Sequence, residues 1–271
     1  MITVEIMGGL GNQLFQVFTC LSYSMDYDIP FYIEDKTLEH GPRKKTYWDS
    51  FLIKLQPYLK KPINVKKIKL TQAEFKQIPK INLNQNYKLF GYFQSYKYFN
   101  NNKKKIIELL NMENIKNKLN NKYDYYDIVS LHFRLGDYKD LQQHHPILPI
   151  EYYIKSLKQL IEDTKKNDWK ILYFYEKNDT EMILKNINIL KNNFNKLTFI
   201  GVNHELEDYE QILCMSLCKH NIIANSTFSW WGAYFNNNDN LVYYPNIWFG
   251  PAQGNKKVDD LFLDDWKKII V

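Results

Sequence analysis

Three cysteines in 271 residues leave little room for covalent or thiolate chemistry. Cys20, Cys214 and Cys218 cannot all pair, and Cys214 and Cys218 stand one helical turn apart in an apolar stretch, where packing is the commoner use. The six histidines form no cluster that would complete a metal site. A disulfide scaffold is therefore excluded, no bound metal is expected, and the setting is expected to be reduced and cytoplasmic. No apolar run approaches the length of a membrane-spanning helix, and the chain opens directly on a strand pattern. A soluble protein with no integral membrane segment is the expectation. No internal repeat is present. A metal-binding Asp-x-Asp at a strand end is also missing, since Asp26-Tyr27-Asp28 closes a helical stretch and reads as a helix end and turn.

The charge is less scarce than one-sided. A formal net charge of +6 and a pI near 8.9 come largely from Lys runs such as Lys60-Lys61, Lys66-Lys67-Lys69 and Lys103-Lys104-Lys105. These runs are mixed with Asn and lack interleaved aromatics, which speaks for solvated helix faces and against nucleic-acid binding. Peripheral attraction to an anionic membrane, or to a charged donor, stays open. With 45% hydrophobic and 16% aromatic residues, the chain can bury one large core or two modest ones.

Three segments carry chemistry. At the N-terminus Ile2, Val4 and Ile6 alternate with polar residues before Gly8-Gly9-Leu10-Gly11-Asn12-Gln13 and a helical run, a strand, glycine loop and helix in succession. Gly9-x-Gly11 suggests a dinucleotide fingerprint, with Glu34-Asp35 near the place of its ribose acid. Leu14 occupies the third glycine position and would hold the helix off the strand. The loop reads better as a turn approaching phosphate or sugar, with the amides of Asn12 and Gln13 projecting from it.

The second segment is Ser130-Leu131-His132-Phe133-Arg134-Leu135-Gly136-Asp137-Tyr138, at the end of an apolar run. Alternation puts His132 and Arg134 on one face, and a guanidinium there can grip two diphosphate oxygens in a planar fork. Asp137 can orient Arg134 or cap the next turn of chain. The third segment is Asn225-Ser226-Thr227-Phe228-Ser229-Trp230-Trp231-Gly232-Ala233, where a strand feeds a hydroxyl-rich turn and a helix. Free N–H groups and the hydroxyls of Ser226, Thr227 and Ser229 at the positive end of a helix suit a phosphate without a metal.

From Ile128 onward, strand-like runs (171–175, 197–201, 221–224, 241–244) alternate with helix-like ones (150–161, 180–190, 206–218, 261–270), the pattern of a parallel sheet with covering helices. The first half is less regular. After a strand at Phe31-Tyr32-Ile33 comes a long Pro- and Lys-containing stretch, then a strand at 88–92. Residues 103–122 read as one amphipathic connecting helix. The expected domains are 1–125 and 126–271, divided near Tyr123 to Asp127.

The three segments, with Gly91-Tyr92-Phe93-Gln94-Ser95, Leu148-Pro149-Ile150-Glu151-Tyr152-Tyr153 and Met215-Ser216-Leu217-Cys218-Lys219-His220, are collinear over most of the chain. They resemble the α-1,2-fucosyltransferase family, glycosyltransferase family eleven. The resemblance implies an α/β fold of GT-B type, two Rossmann-like domains facing a cleft, with an N-terminal acceptor-binding domain and a C-terminal GDP-sugar-binding domain. It implies inverting transfer of L-fucose from GDP-β-L-fucose to a glycan hydroxyl, the 2-hydroxyl of a galactoside or similar sugar, with no cofactor and no required metal. A bacterial-type or viral-type enzyme is implied, in the absence of a Golgi signal anchor. Two positions depart from the family pattern: Leu135 stands where many members carry a second arginine, and Glu176-Lys177-Asn178-Asp179 where many carry Ser-Asp-Asp.

On this reading Gly8, Gly9, Gly11, Asn12, Gln13, His132, Arg134, Asn225, Ser226, Thr227, Phe228 and Ser229 bind substrate, and Arg134 neutralises the leaving diphosphate. The base is Asp137 or His145, the latter in the loop Gln142-Gln143-His144-His145-Pro146. A transferase for another GDP-sugar, an inactive glycan-binding module and a dinucleotide oxidoreductase are the alternatives; Leu14 speaks against the last.

Overall fold

All strand pairings among the described residues are parallel, as the alternation of strand and helix patterns requires. The computed structural model describes residues 1–35, 45–70, 74–82, 84–120 and 125–271, the side chain of Tyr126 excepted. The chain forms two compact units: Met1–Ile115 with Lys256–Leu263, and Lys116–Asn255 with Asp264–Val271. The division falls at 115/116 where the sequence suggests 125/126, and a short C-terminal stretch rejoins the first unit. Residues 121–124, which take in the start of the linker expected at Tyr123 to Asp127, lie outside the described residues.

In the first unit β1 (Ile2–Val4) leads into α1 (Leu10–Tyr27), followed by β2 (Ile33–Glu34), β3 (Leu59–Lys60), β4 (Lys66–Lys69) and β5 (Tyr87–Phe90). The strands pair as β1-β5-β4 and β2-β3, and a parallel bridge between Ile2 and Phe31 joins the two sets. Leu14, Phe15, Val17, Phe18 and Leu21 of α1 are fully buried, so Leu14 packs into the core. Asp26 and Asp28 behave as helix-end residues: Asp26 accepts from Asn102 Nδ2 at 2.6 Å, and Asp28 is the left-handed C-cap. Lys66, Lys67 and Lys69 lie exposed on edge strand β4 instead of a helix face, where charge discourages pairing with another chain.

The expected helix over 103–122 is two helices, α2 (Lys103–Leu109) and α3 (Met112–Leu119). Asn111 breaks it by adopting φ +55°, a left-handed conformation that Asn tolerates better than most side chains.

The second unit carries β6 (Ile128–His132), α4 (Ile150–Thr164), β7 (Lys170–Phe174), α5 (Thr180–Asn193), β8 (Thr198–Gly201), α6 (Asp208–Leu217), β9 (His220–Ile222), α7 (Thr227–Tyr234), β10 (Val242–Pro245) and β11 (Lys267–Ile269). Its sheet order, β11-β10-β9-β6-β7-β8, is the doubly wound nucleotide-binding order, with its switch point between β6 and β9. Val129 and Leu131 face a core shared with Leu157 and Leu160 of α4 and Ile183 and Ile187 of α5. Ser130 and Asn221 face the other way, where Asn221 Nδ2 donates to Ser130 Oγ and to the Met215 carbonyl of α6. The run 261–270 is not a helix: β11 pairs with β10 and completes the sheet, so a partner in space overrides a helical spacing of apolar residues.

The three cysteines are buried free thiols, and burial pushes the Cys20 thiol up to about 12. Among the described residues no helix is long and apolar enough to cross a membrane.

Candidate functional site

The two motifs of the second unit meet where the sheet order reverses. β6 ends at His132 and β9 at Ile222, adjacent strands, so the loops leaving them emerge side by side at the switch point. A hydrogen bond ties the loops together: the Tyr138 hydroxyl donates to the Asn225 carbonyl at 3.1 Å. Asn225 is buried and its Nδ2 donates to the carbonyls of Pro146, at 2.8 Å, and Trp248, at 3.4 Å. Its Oδ1 has no hydrogen-bond partner among the described residues. Asn225 thus fastens three loops at one end of the sheet.

Arg134 is the focus of charge. The chain has two arginines, and the other, Arg43, lies outside the described residues. The Arg134 side chain is only 10% exposed; Nη1 pairs with Glu176, Nη2 pairs with Asp137, and the guanidinium lies 4.6 Å from the centre of the Tyr138 ring. Asp137 therefore orients Arg134. Gly136 adopts φ +47°, and a Cβ there would come within 2.7 Å of Glu176 Oε1. The turn needs glycine for both reasons. Asp179, buried at the start of α5, accepts the Gly136 N–H at 2.8 Å and pairs with Lys139, holding the Lys139 ammonium above its ordinary range.

His132 is buried with its ring 5.6 Å from Phe228 of α7. The His145 ring stacks on Tyr138 at 4.9 Å, with Phe249 at 5.8 Å on another side. The His145 loop is held by backbone: Gly250 donates to the His144 carbonyl and Ala252 to the Gln143 carbonyl, each at 2.9 Å.

At the start of α7 the three hydroxyls do different things. Ser226 is the N-cap and accepts from the Phe228 N–H at 3.3 Å. Ser229 is buried and turned inward, accepting from Ala224 N–H at 3.2 Å and donating to the Ser226 carbonyl at 3.4 Å. It supports the turn rather than lining a ligand face. Thr227, half-buried at the first helical position, completes the set.

The glycine loop lies in the first unit. Gly8 adopts φ +75°, and Gly9 is the N-cap of α1 with Gly11 in its first turn. The expectation that both amides project from the loop fails for Gln13, which is fully buried and donates to the carbonyls of Gly8 at 3.0 Å and Lys45 at 2.8 Å. Asn12 Oδ1 accepts from Gln94 Nε2 at 2.9 Å. Gln94 and Glu176 are the residues that reading by segments missed. Both sit in stretches compared with the family pattern, and only folding shows what they touch.

Among the described residues no group of three or more His, Cys, Asp or Glu is placed to hold a metal ion. The arrangement at the switch point can instead hold an anion: a guanidinium, a capped helix start and a backbone-rich turn stand on adjacent loops.

The family model of glycosyl transferase family 11 matches residues 24–270. The chain is 32% identical over 220 residues to an O-antigen biosynthesis glycosyltransferase, WbnK, of Escherichia coli, covering 74% of this chain and 68% of that one. It is 27% identical over 274 residues to an α-1,2-colitosyltransferase of Escherichia coli, covering 92% of each. Among solved structures, a glycosyl transferase family 9 protein of Veillonella parvula aligns with a TM-score of 0.50 at 10% identity, over 99% of this chain and 86% of that one, a likeness of fold alone. Matched by one family over nearly its whole length, the chain belongs to glycosyltransferase family 11.

Proposed function

We propose that this glycosyltransferase moves L-fucose from GDP-β-L-fucose to a glycan hydroxyl, with inversion, forming an α-1,2 linkage. The observation that carries the donor half is the tie from Tyr138 to Asn225, which brings the Arg134 turn and the start of α7 to one switch point. In this reading the chain is a GT-B enzyme, the second unit binding the donor and the first the acceptor.

Breaking the sugar–phosphate bond leaves negative charge on the diphosphate. Arg134 meets it with a planar fork, and Ser226, Thr227 and the first N–H groups of α7 with aligned dipoles, so stabilisation grows as the bond breaks. The reaction centre acquires oxocarbenium character, as in glycoside cleavage, and the acceptor hydroxyl attacks the opposite face. Asp137 is committed to Arg134, so removal of the acceptor proton is assigned to His145, whose ring Tyr138 and Phe249 hold in place. No metal is required, since the guanidinium and helix start neutralise the leaving group.

A second reading has one observation behind it: a relative named as an α-1,2-colitosyltransferase matches along 92% of the chain, which favours a sugar other than fucose with the same type of linkage. The test is release of GDP from GDP-fucose, GDP-mannose and GDP-colitose over a panel of galactosides and N-acetylglucosaminides, with the product linkage read by NMR. Turnover of GDP-fucose to an α-1,2 product is expected. Turnover of GDP-colitose alone selects the second reading, and binding of glycan with no turnover of any donor makes the chain a binding module.

A further inference from the structure

We propose that Glu176 competes with the donor's diphosphate for the Arg134 guanidinium and is displaced from it when the donor binds. The inference rests on the reading of Arg134 as the diphosphate-binding group, and goes beyond it in assigning a role to a residue of the loop after β7. Both terminal nitrogens of Arg134 hold a carboxylate, Glu176 on Nη1 and Asp137 on Nη2, and Tyr138 covers a face. Arg134, Asp137 and Glu176 together carry one net negative charge. A diphosphate added to this set unchanged would place three anionic groups around one cation, so a carboxylate must leave for the planar grip to form.

The two carboxylates differ in how readily they can leave. Asp137 is three residues from Arg134 in the same short turn and stays close whatever its rotamer. Glu176 reaches in from another loop, and its side chain is 43% exposed, so it can swing into water with little desolvation to undo. Its departure leaves both loops fastened. Asp179, three residues further on and buried, keeps the Gly136 N–H and Lys139. The carboxylate has a seat of its own, because Gly136 presents a bare Cα where a Cβ would stand 2.7 Å from Glu176 Oε1.

Titration with GDP, UDP and ADP by calorimetry, on the wild type, Glu176→Gln, Arg134→Ala and the double variant, tests this with melting curves as the folding control. Glu176→Gln keeps the shape and removes the charge, so the best-bound diphosphate should bind at least about fivefold more tightly. The same change should have no effect in the Arg134→Ala background. Glu176→Ala should act in the same direction as Glu176→Gln. If Arg134→Ala weakens nucleotide binding while Glu176→Gln leaves it unchanged or weakens it, Glu176 is a strut for the arginine and the inference is overturned. If Arg134→Ala changes nothing, or no diphosphate binds the wild type, the reading of Arg134 fails and takes this inference with it.

Discussion

The two units secure their loops with different chemistry. In the second, the turn after β6 is held by ions: Arg134 to Asp137 and Glu176, Lys139 to Asp179. In the first, the turn after β1 is held mostly by neutral amides, Gln13 on the Gly8 and Lys45 carbonyls, Gln16 accepting from the Met7 N–H at 2.9 Å and Gln94 on Asn12, with one ion pair at its base, Lys88 to Glu5 at 3.4 Å. Overall charge runs the opposite way. The span of the first unit has 19 Lys and Arg against 12 Asp and Glu, while that of the second has 17 against 18. The protein's net positive charge therefore sits on the unit whose glycine loop is fastened mainly by neutral amides. An ionic clamp can exchange one anion for another, whereas an amide clamp on backbone carbonyls holds a fixed shape. The first suits a diphosphate and the second a neutral, hydroxyl-rich ligand, in keeping with the proposed division between donor and acceptor.

The sharpest way to break that comparison is Arg134→Lys, which keeps charge and loses the fork. Turnover should fall about 10²- to 10³-fold, more than GDP affinity falls. Near-normal kcat in the lysine variant would reduce the ionic clamp to charge alone, and near-normal kcat in Arg134→Ala would remove it from the mechanism.

Thr227→Val tests the helix start, and should weaken GDP binding about ten- to a hundredfold, the worth of a hydrogen bond to a charged group. Unchanged GDP affinity with a lowered melting temperature would make Thr227 a structural cap.

On the amide side, Gln13→Ala removes the donor to two carbonyls and should cost about 1 to 3 kcal/mol in urea unfolding. GDP affinity should hold while KM for the acceptor rises; a change confined to GDP would invert the assignment of the two units.

The scaffold of the second unit carries its own pH signature. Burial holds the His220 imidazole down at about 4, and its Nδ1 accepts the Leu241 N–H at 3.0 Å. A depressed value means the folded state binds fewer protons than the unfolded one. Its contribution is present above pH 6.5 and is lost as pH falls from there through about 4. In His220→Gln the stability profile should be flatter across that window than in the wild type, read by urea midpoints at about pH 7.5 and 5; parallel profiles would exclude His220 as the cause. The smallest effect is none at all: activity in EDTA should equal activity without it, and loss restored by manganese or magnesium would refute a metal-free site.

Local pattern was enough to determine much of this protein. Apolar runs bounded by turns marked β6 to β10, because a strand buried in the sheet has to be largely apolar, and edge strand β8, only half-buried, still presents Phe199 to the sheet's core side. The Ser-Thr turn marked the start of α7, because the caps of a helix are set within a few residues. The family was legible for the same reason, in collinear short motifs. Contacts between distant segments were not. The run 261–270 has the spacing of a helix, yet Lys267–Ile269 within it becomes a strand because β10 offers an open edge. Gln13 turns inward because the carbonyls of Gly8 and Lys45 need a donor, and Lys45 is 32 residues away. Glu176 stands 42 residues from Arg134, and nothing in either segment names the other. Periodicity and capping act over one or two turns of chain and can be read from it, whereas the partner of a charge or an amide is chosen by which loops the sheet order brings together, and only the tertiary structure decides that.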